Sequence, residues 1–355
     1  MTIERIKSER ERLNMEKTME CFLNGKKVLV VATAFFGYDI AMKEEIERLG
    51  AEVRFYDERS VKSSIGRALI KISPTIFYKK TKKHHLSIIN ANRDCEFDIV
   101  YIYGGSMLNE KFLKLYKSQF TKAKFVLYLA DSVRGTERYE KMFPLFDKVV
   151  TFDRMDYRYY SKKYTNIFFL PLFYSKEYEN REEKNFHKLK YDIAFVGTVH
   201  SDRLVLLKQI KKQAESMGLK VYFYCYLQAW FMYFYYYLTK KEFRSTRYRD
   251  FQYKKVSAGD IQKIMKKSKA IFDVQYPKNT GLTMRTLETL GMRRKLITTN
   301  KDIKIYDFYN ENNICVIDRN NPKLNANFFK TDYMDLPQDM YQSYSITNWI
   351  LKLLA

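Results

Sequence analysis

Short apolar runs alternate along this chain with stretches whose apolar residues recur at helical spacing. The first run, Lys27 to Ala32, leads to a turn at Phe36-Gly37 and then to a helix from Ile40 to Leu49, which Gly50 closes before a second strand, Glu52 to Tyr56. Further apolar runs ending in turn residues follow at Phe97 to Tyr103, Phe125 to Ala130, Lys148 to Phe152 and Ile167 to Leu170. Continuous apolar strands separated by amphipathic helices predict a parallel sheet covered on both faces.

The rhythm stops between Ser175 and Lys190, a densely charged stretch that suits a linker, and then restarts. Tyr191 to Val196 is the next strand and meets Gly197. A helix runs from Ser201 or Asp202 to Met217, and strands follow at Lys220 to Cys225, Ala270 to Gln275, Lys295 to Thr299 and Ile314 to Ile317. The pattern predicts an α/β chain of two Rossmann-like domains, 1–180 and 181–338, then an amphipathic helix in 339–355. Doubly wound sheets take their ligands at the carboxyl ends of the strands.

Two segments break the pattern. Between Val61 and Asn90 there are seven Lys and Arg and no acidic residue, mixed with Ile65, Leu69, Ile70, Ile72, Ile76 and Phe77. This reads either as a membrane-surface helix or as a solvated helix beside an acceptor site. From Tyr222 to Leu238 the chain is uncharged and crowded with Tyr, Phe and Trp230, and Lys240, Lys241, Arg244, Arg247 and Arg249 follow at once. It begins as a strand; the rest is either a packed helix or an interfacial patch.

Composition narrows the partners. A net charge of +23 from 64 Lys and Arg against 41 Asp and Glu favours an anionic partner: nucleic acid, an acidic membrane or phosphorylated substrates. No helix-turn-helix, RNP or zinc-finger pattern accompanies it, so nucleic acid is a weaker reading than membrane or phosphate, and the bland alternative is simply solvated lysines. Four scattered cysteines without a CxxC pair, and four histidines without HExxH, predict a reducing compartment and no metal centre. Met1 to Lys27 is charged throughout and lacks the apolar core of a signal peptide, so a cytoplasmic protein is expected.

The most informative stretch runs from Asp273 to Gly291 (DVQYPKNTGLTMRTLETLG). A strand ends near Tyr276-Pro277, Gly281 allows a tight turn, and a helix starts at about Thr283, where free amides make an anion site. Arg285 in the first turn opposes the helix dipole by roughly 0.3–1 kcal/mol unless an anion lies nearby. Glu288 shares its face three residues on. The spacing admits two readings: Glu288 accepts ribose hydroxyls while Arg285 meets phosphate, or the two simply pair within the helix.

This segment resembles the donor-site motif of bacterial GT-B glycosyltransferases, and most of all the capsule, exopolysaccharide and CgeB-like lineage, in which Arg-x-x-Glu-x-x-Gly recurs (here Arg285, Glu288, Gly291). The restart at Asp192 to Gly197 with Arg203, and the run Leu296 to Asn300, are similar to the same lineage, so the resemblance covers roughly Tyr191 to Asp318. It implies two domains facing across a cleft and a C-terminal helix crossing back to the N-terminal domain. It also implies a donor site in which Gly197 lies under a diphosphate, Arg203 is a phosphate partner, and Gly281, Leu282 and Thr283 supply amides. Arg285 and Glu288 hold phosphate and ribose. The Glu-x7-Glu pair of one retaining lineage is incomplete, which leaves the stereochemistry open.

The activity so implied is transfer of a sugar from a nucleotide-sugar to a cell-surface polysaccharide or a lipid-linked acceptor, peripheral on the inner face of the cell membrane. No Asp-x-Asp occurs, consistent with a metal-independent enzyme in which amides and arginines meet the leaving-group charge. An inverting enzyme needs a base on the acceptor domain. Asp131 is the first candidate and Asp57 the second, each read more readily as a strand-end turn or helix N-cap. Gly37 and Gly104-Gly105 can shape an acceptor pocket, and His200 is either a donor contact or a surface residue. A catalytically silent homologue, acting as a partner subunit or nucleotide-sugar sensor, would carry the same binding residues.

Overall fold

A computed structural model describes residues 22–61, 77–180, 189–199, 202–277 and 280–355. Most of the charged N-terminal segment, the apolar half of the basic segment (Ile65 to Ile76), residues 181–188 of the charged stretch, and His200 lie outside the described residues. The chain divides into two compact units, 1–171 with 346–355, and 172–345.

In unit 1, six parallel strands form one sheet in the order β2-β1-β3-β4-β5-β6. They are β1 (Lys27–Ala32), β2 (Glu52–Asp57), β3 (Ile99–Tyr103), β4 (Lys124–Leu129), β5 (Lys148–Thr151) and β6 (Ile167–Phe169). The helices are α1 (Tyr38–Arg48), α2 (Tyr78–Ala91), α3 (Glu110–Gln119), α4 (Glu137–Glu140) and α5 (Arg154–Tyr160). β1, β3 and β4 are buried along nearly their whole length, the consequence of helices on both faces. Gly50, at φ +96°, turns the chain out of α1 into β2, a conformation that side chains with a Cβ rarely adopt.

Unit 2 repeats the plan with five parallel strands in the order β11-β10-β9-β7-β8. They are β7 (Tyr191–Thr198), β8 (Val221–Tyr226), β9 (Ser268–Asp273), β10 (Lys295–Thr298) and β11 (Ile314–Val316). Its helices are α6 (Arg203–Ser216), α7 (Trp230–Thr239), α8 (Ala258–Lys266), α9 (Met284–Gly291), α10 (Ala326–Lys330) and α11 (Gln338–Ser343). Part of the positive charge is structural here. Buried Lys295 donates to the Phe328 carbonyl at 2.8 Å and Lys269 to that of Phe329, capping the end of α10, where a helix favours a cation.

The last helix, α12 (Ile346–Leu354), belongs to unit 1. The single helix expected from Asp339 to Leu354 is broken: Tyr344 and Ser345 leave helical geometry because Tyr174 pairs with them, its amide donating to the Tyr344 carbonyl at 3.0 Å. α12 packs Trp349, 1% exposed, edge-on to Tyr128 with ring centroids 4.8 Å apart. Lys148 and Lys124 donate to the carbonyls of Lys352 (2.8 Å) and Ala355 (2.7 Å) at its C-terminus.

His85 on α2 is fully buried between Phe112 and Tyr116, with Nδ1 3.1 Å from the Tyr116 hydroxyl. Burial, with His84 beside it, pulls its pKa down from 6.5 to about 4. The unfolded chain therefore binds a proton that the folded chain refuses across that window, and stability falls as pH falls through it. Unit 1 is expected to lose about 3 kcal/mol between pH 7 and pH 4 from this group. Urea unfolding followed by Trp349 emission in a Trp230→Phe background measures the slope, and His85→Gln should flatten it.

Candidate functional site

In unit 2 the strand order reverses between β7 and β9, so their carboxyl ends open a crevice where doubly wound sheets bind ligands. Arg203, the first residue of α6, reaches across it. Its Nε donates to the Val274 carbonyl at 2.9 Å and its Nη1 to the Thr198 carbonyl at 3.1 Å. Burial draws its pKa below the usual arginine value, against the pull of Asp273. A second guanidinium, Arg319 after β11, grips Asp202 through Nε (2.6 Å) and Nη2 (2.9 Å) and also reaches the Gln275 carbonyl (3.0 Å). That grip holds the Asp202 carboxyl below the usual aspartate range. Nothing in the spacing of the sequence singles out Arg319; the fold carries it to the crevice from the far edge of the sheet.

The turn into α9 is clamped from below. Thr283 caps the helix by accepting from the Thr286 amide at 3.1 Å, while its own hydroxyl donates to Asp273 at 2.6 Å. Thr286 donates to the same carboxylate oxygen at 2.9 Å. A carboxylate under a helix N-terminus is favoured by the dipole and fixes where the first-turn amides point. Asn300, after β10, donates to the carbonyls of Thr280 (3.3 Å) and Gly281 (3.2 Å) and so holds the buried Gly281-Leu282 backbone in place. Asp273 and Asn300 lie within the recognised runs, and their clamping role has no sequence signal of its own.

Arg285 and Glu288 pair within the helix, Arg285 Nη1 lying 2.5 Å from Glu288 Oε2. Glu288 is 2% exposed, and the Tyr178 hydroxyl also hydrogen-bonds it. Burial and the adjoining carboxylate raise the Tyr178 pKa. Ribose binding by Glu288 would call on the acceptor sites of the carboxylate that these two partners leave. Gly197 lies inside β7, where a Cβ would come within 3.0 Å of the Phe195 ring. Gly291, the last residue of α9, faces Tyr174 so closely that a Cβ would lie 2.7 Å from its Cγ. Tyr174 is itself fixed, donating to the Tyr341 carbonyl at 3.0 Å, and Tyr341 donates to that of Gly291 at 2.6 Å. Gly291→Ala should lower the stability of unit 2 by about 1–3 kcal/mol, read as a lower calorimetric midpoint.

In unit 1, Asp131 lies exposed just past the end of β4; burial raises the pKa values of Tyr103 and Tyr139, and the Asp131 charge adds to the rise in both. Asp57, the last residue of β2, is half-buried and tied to Arg59, whose amide donates to it at 3.0 Å and whose Nε does so at 3.3 Å. Gly37 precedes α1, and the Gly104 carbonyl accepts from the Tyr139 hydroxyl at 3.1 Å. The carboxylate that organises these loops is Glu58, which the sequence reading passed over. It is 0% exposed and binds Thr33, Ser106, Met107 and Leu108. Burial raises its pKa, with those hydrogen bonds pulling the other way. The loop it holds forms one wall of a cavity of about 430 Å³, to which Tyr78, Asn109, Lys111 and Arg138 also contribute.

No protein-family model matches the chain, and no curated protein matches it. Among solved structures it is similar to a glycosyltransferase from Rickettsia africae ESF-5, at 13% identity and a TM-score of 0.54 over 94% of this chain and 95% of that one. It is also similar to the N-terminal domain of Candida albicans trehalose-6-phosphate phosphatase (11%, 0.57, 93% and 96%). A third likeness is to the catalytic domain of Arabidopsis thaliana starch synthase IV bound to ADP and acarbose (8%, 0.52, 94% and 96%). At such identities the likeness concerns the fold, and together with two parallel-sheet α/β units and a last helix that returns to the first of them, it shows that the chain has the GT-B fold.

Proposed function

We propose that the chain is a glycosyltransferase that binds a nucleotide-sugar at the carboxyl ends of β7 and β9 and passes the sugar to a cell-surface polysaccharide or lipid-linked acceptor at the inner face of the membrane. The observation that carries this reading is the convergence at one crevice of Arg203, Arg319 and the clamped start of α9 that bears Arg285 and Glu288. Cations and helix amides together suit a diphosphate. In the transfer, an acceptor hydroxyl attacks the anomeric carbon, the bond from that carbon to the diphosphate oxygen breaks, and the hydroxyl proton passes to a base. Asp131 is the proposed base for an inverting reaction. The arginines and amides stabilise the departing diphosphate without calling on a metal ion.

Thermal shift against a panel of nucleotide-sugars tests the reading, since a ligand at a hundredfold its Kd adds roughly 2.7 kcal/mol of stability. Release of nucleoside diphosphate in the presence of acceptor then separates enzyme from silent homologue. The silent alternative, a partner subunit or nucleotide-sugar sensor, uses the same binding residues, and stabilisation without turnover would establish it. If no nucleotide-sugar stabilises the chain, both readings fall.

A further inference from the structure

The basic segment and the aromatic segment part company in the structure. α2 turns its apolar positions, Ile88 and Ile89 with His85 and Thr81, into the core of unit 1, and Lys79, Lys80, Lys82 and Lys83 remain on its solvated face. Among the described residues of that segment, Tyr78, 37% exposed, is the one large apolar side chain at the surface beside these lysines. α7 in unit 2 does the reverse. Tyr233 is the buried side chain of this helix, packed against Phe243 and Phe251 through the aromatic cluster beneath it. Trp230, Phe234 and Leu238, at i, i+4 and i+8, form one outward stripe and are 61%, 50% and 74% exposed. Phe231 and Tyr235 widen it.

The face is braced by stacked rings and bordered by charge. Phe234 stacks on Tyr248 with centroids 5.9 Å apart, and Tyr248 stacks on Tyr253 at 4.5 Å, so the rings extend as a ledge beyond the helix. Lys240, Lys241, Arg244, Arg247 and Arg249 follow α7, against two carboxylates in the same stretch, Glu242 and Asp250. The Asp250 carboxylate is already engaged by the Arg247 amide at 2.8 Å. Lys240 lies 4.3 Å above the Tyr236 ring. Exposed Trp, Phe and Leu edged by cations match a bilayer surface in both respects: rings enter the headgroup–acyl boundary, and cations meet anionic headgroups. A second copy of a chain carrying +23 would meet the same cations rather than complement them.

We infer that the outer face of α7, with the cations of 240–249, docks unit 2 onto an anionic lipid bilayer. This rests on the proposed membrane-side reaction and names the element of the chain that makes the contact. The other tryptophan, Trp349, is buried, so Trp230 is a built-in reporter.

The full chain is mixed with phosphatidylcholine vesicles, with or without phosphatidylglycerol, in the absence of donor. Acidic vesicles should co-sediment the chain, shift its emission to the blue, and quench it when the lipid tails carry bromine. The triple variant Trp230→Ser, Phe234→Ser, Leu238→Ser should bind at least about tenfold more weakly, with unchanged circular dichroism because all three side chains are exposed. Replacing Lys240, Lys241, Arg244 and Arg247 by Gln should weaken binding about as much. Lys79, Lys80, Lys82 and Lys83 changed to Gln together should leave it within about twofold of the parent, since these residues are outside the contact.

Acidic-vesicle binding by the triple variant equal to the parent's overturns the inference. So does release by the α2 lysine variant alone, or an emission shift that follows protein concentration without vesicles, which would mark self-association. Nucleotide-sugar binding is read separately, so failure here leaves the transferase reading standing, and the reverse also holds.

Discussion

Replacing Glu288 by Ala is expected to lower donor affinity at least roughly thirtyfold and to destabilise unit 2 by about 3 kcal/mol. The affinity term follows from the proposed ribose contact: a carboxylate accepting two hydroxyls makes charge-assisted hydrogen bonds, and losing them costs about 2 kcal/mol or more. The stability term follows from the structure itself. Glu288 is buried and pairs with Arg285, whose side chain is 19% exposed, so the substitution takes this carboxylate from a guanidinium with little access to water. Fully buried pairs broken from one side cost about 3–5 kcal/mol, and the partial exposure of Arg285 places this one at the lower end. Glu288→Gln keeps the volume and one acceptor, and should cost about half as much stability while still losing most of the affinity. Calorimetric titration with the nucleotide-sugar found in the thermal screen measures the first term and urea unfolding the second. Unchanged affinity in a folded Glu288→Gln chain removes the ribose role and leaves the pair as a structural brace.

The two effects of Glu288 show where reading a sequence stops. Periodicity placed the strands of both sheets within a residue or two because a strand buried on both faces has little freedom in its composition, as in Val28 to Ala32 and Ile99 to Tyr103. The recognised motif placed α9 after β9 because Thr283, Arg285, Glu288 and Gly291 fall within one short segment. Contacts between distant segments leave no such trace. Arg319 meets Asp202 across more than a hundred residues, and Tyr178 meets Glu288 in the same way. The break at Tyr344-Ser345 depends on Tyr174, which no helical pattern near residue 344 can reveal.

Aromatic content misleads for a related reason. Apolar periodicity reports that a face exists, and a Tyr-rich stretch satisfies a packed helix and an interfacial one equally. For α7 the answer came from Phe243 and Phe251, which supply enough partners for one side of the helix and leave the other exposed. In α2, His85, Ile88 and Ile89 lie in the core of unit 1, while most of the apolar residues of the basic segment, Ile65 to Ile76, are outside the described residues.

The largest loss expected in unit 1 is from Glu58. The sequence pointed to its neighbour Asp57, since a carboxylate ending a strand is a natural candidate base. At the end of β2 the adjacent side chains differ, Asp57 being partly exposed and Glu58 wholly buried. Five donors converge on Glu58. Oε2 receives the Thr33 hydroxyl at 2.7 Å, the Ser106 amide at 3.1 Å and the Ser106 hydroxyl at 3.2 Å, and Oε1 receives the amides of Met107 at 2.7 Å and Leu108 at 3.0 Å. Glu58→Ala strands all five and opens a void, which should destabilise unit 1 by about 3–5 kcal/mol. Glu58→Gln is the sharper test. Hydroxyls can rotate to accept from an NH₂ group, but backbone amides cannot, so whichever way the Gln side chain is turned at least one of Ser106, Met107 and Leu108 loses its acceptor. The expected cost is about 1–3 kcal/mol, and the Ser106–Asn109 wall of the cavity should loosen with it. Unfolding followed by Trp349 in the Trp230→Phe background gives the energy, and hydrogen exchange at 106–108 gives the local effect. Nucleotide-sugar binding to unit 2 should not change. If Glu58→Gln exchanges and unfolds like the parent, the carboxylate is not what holds this loop.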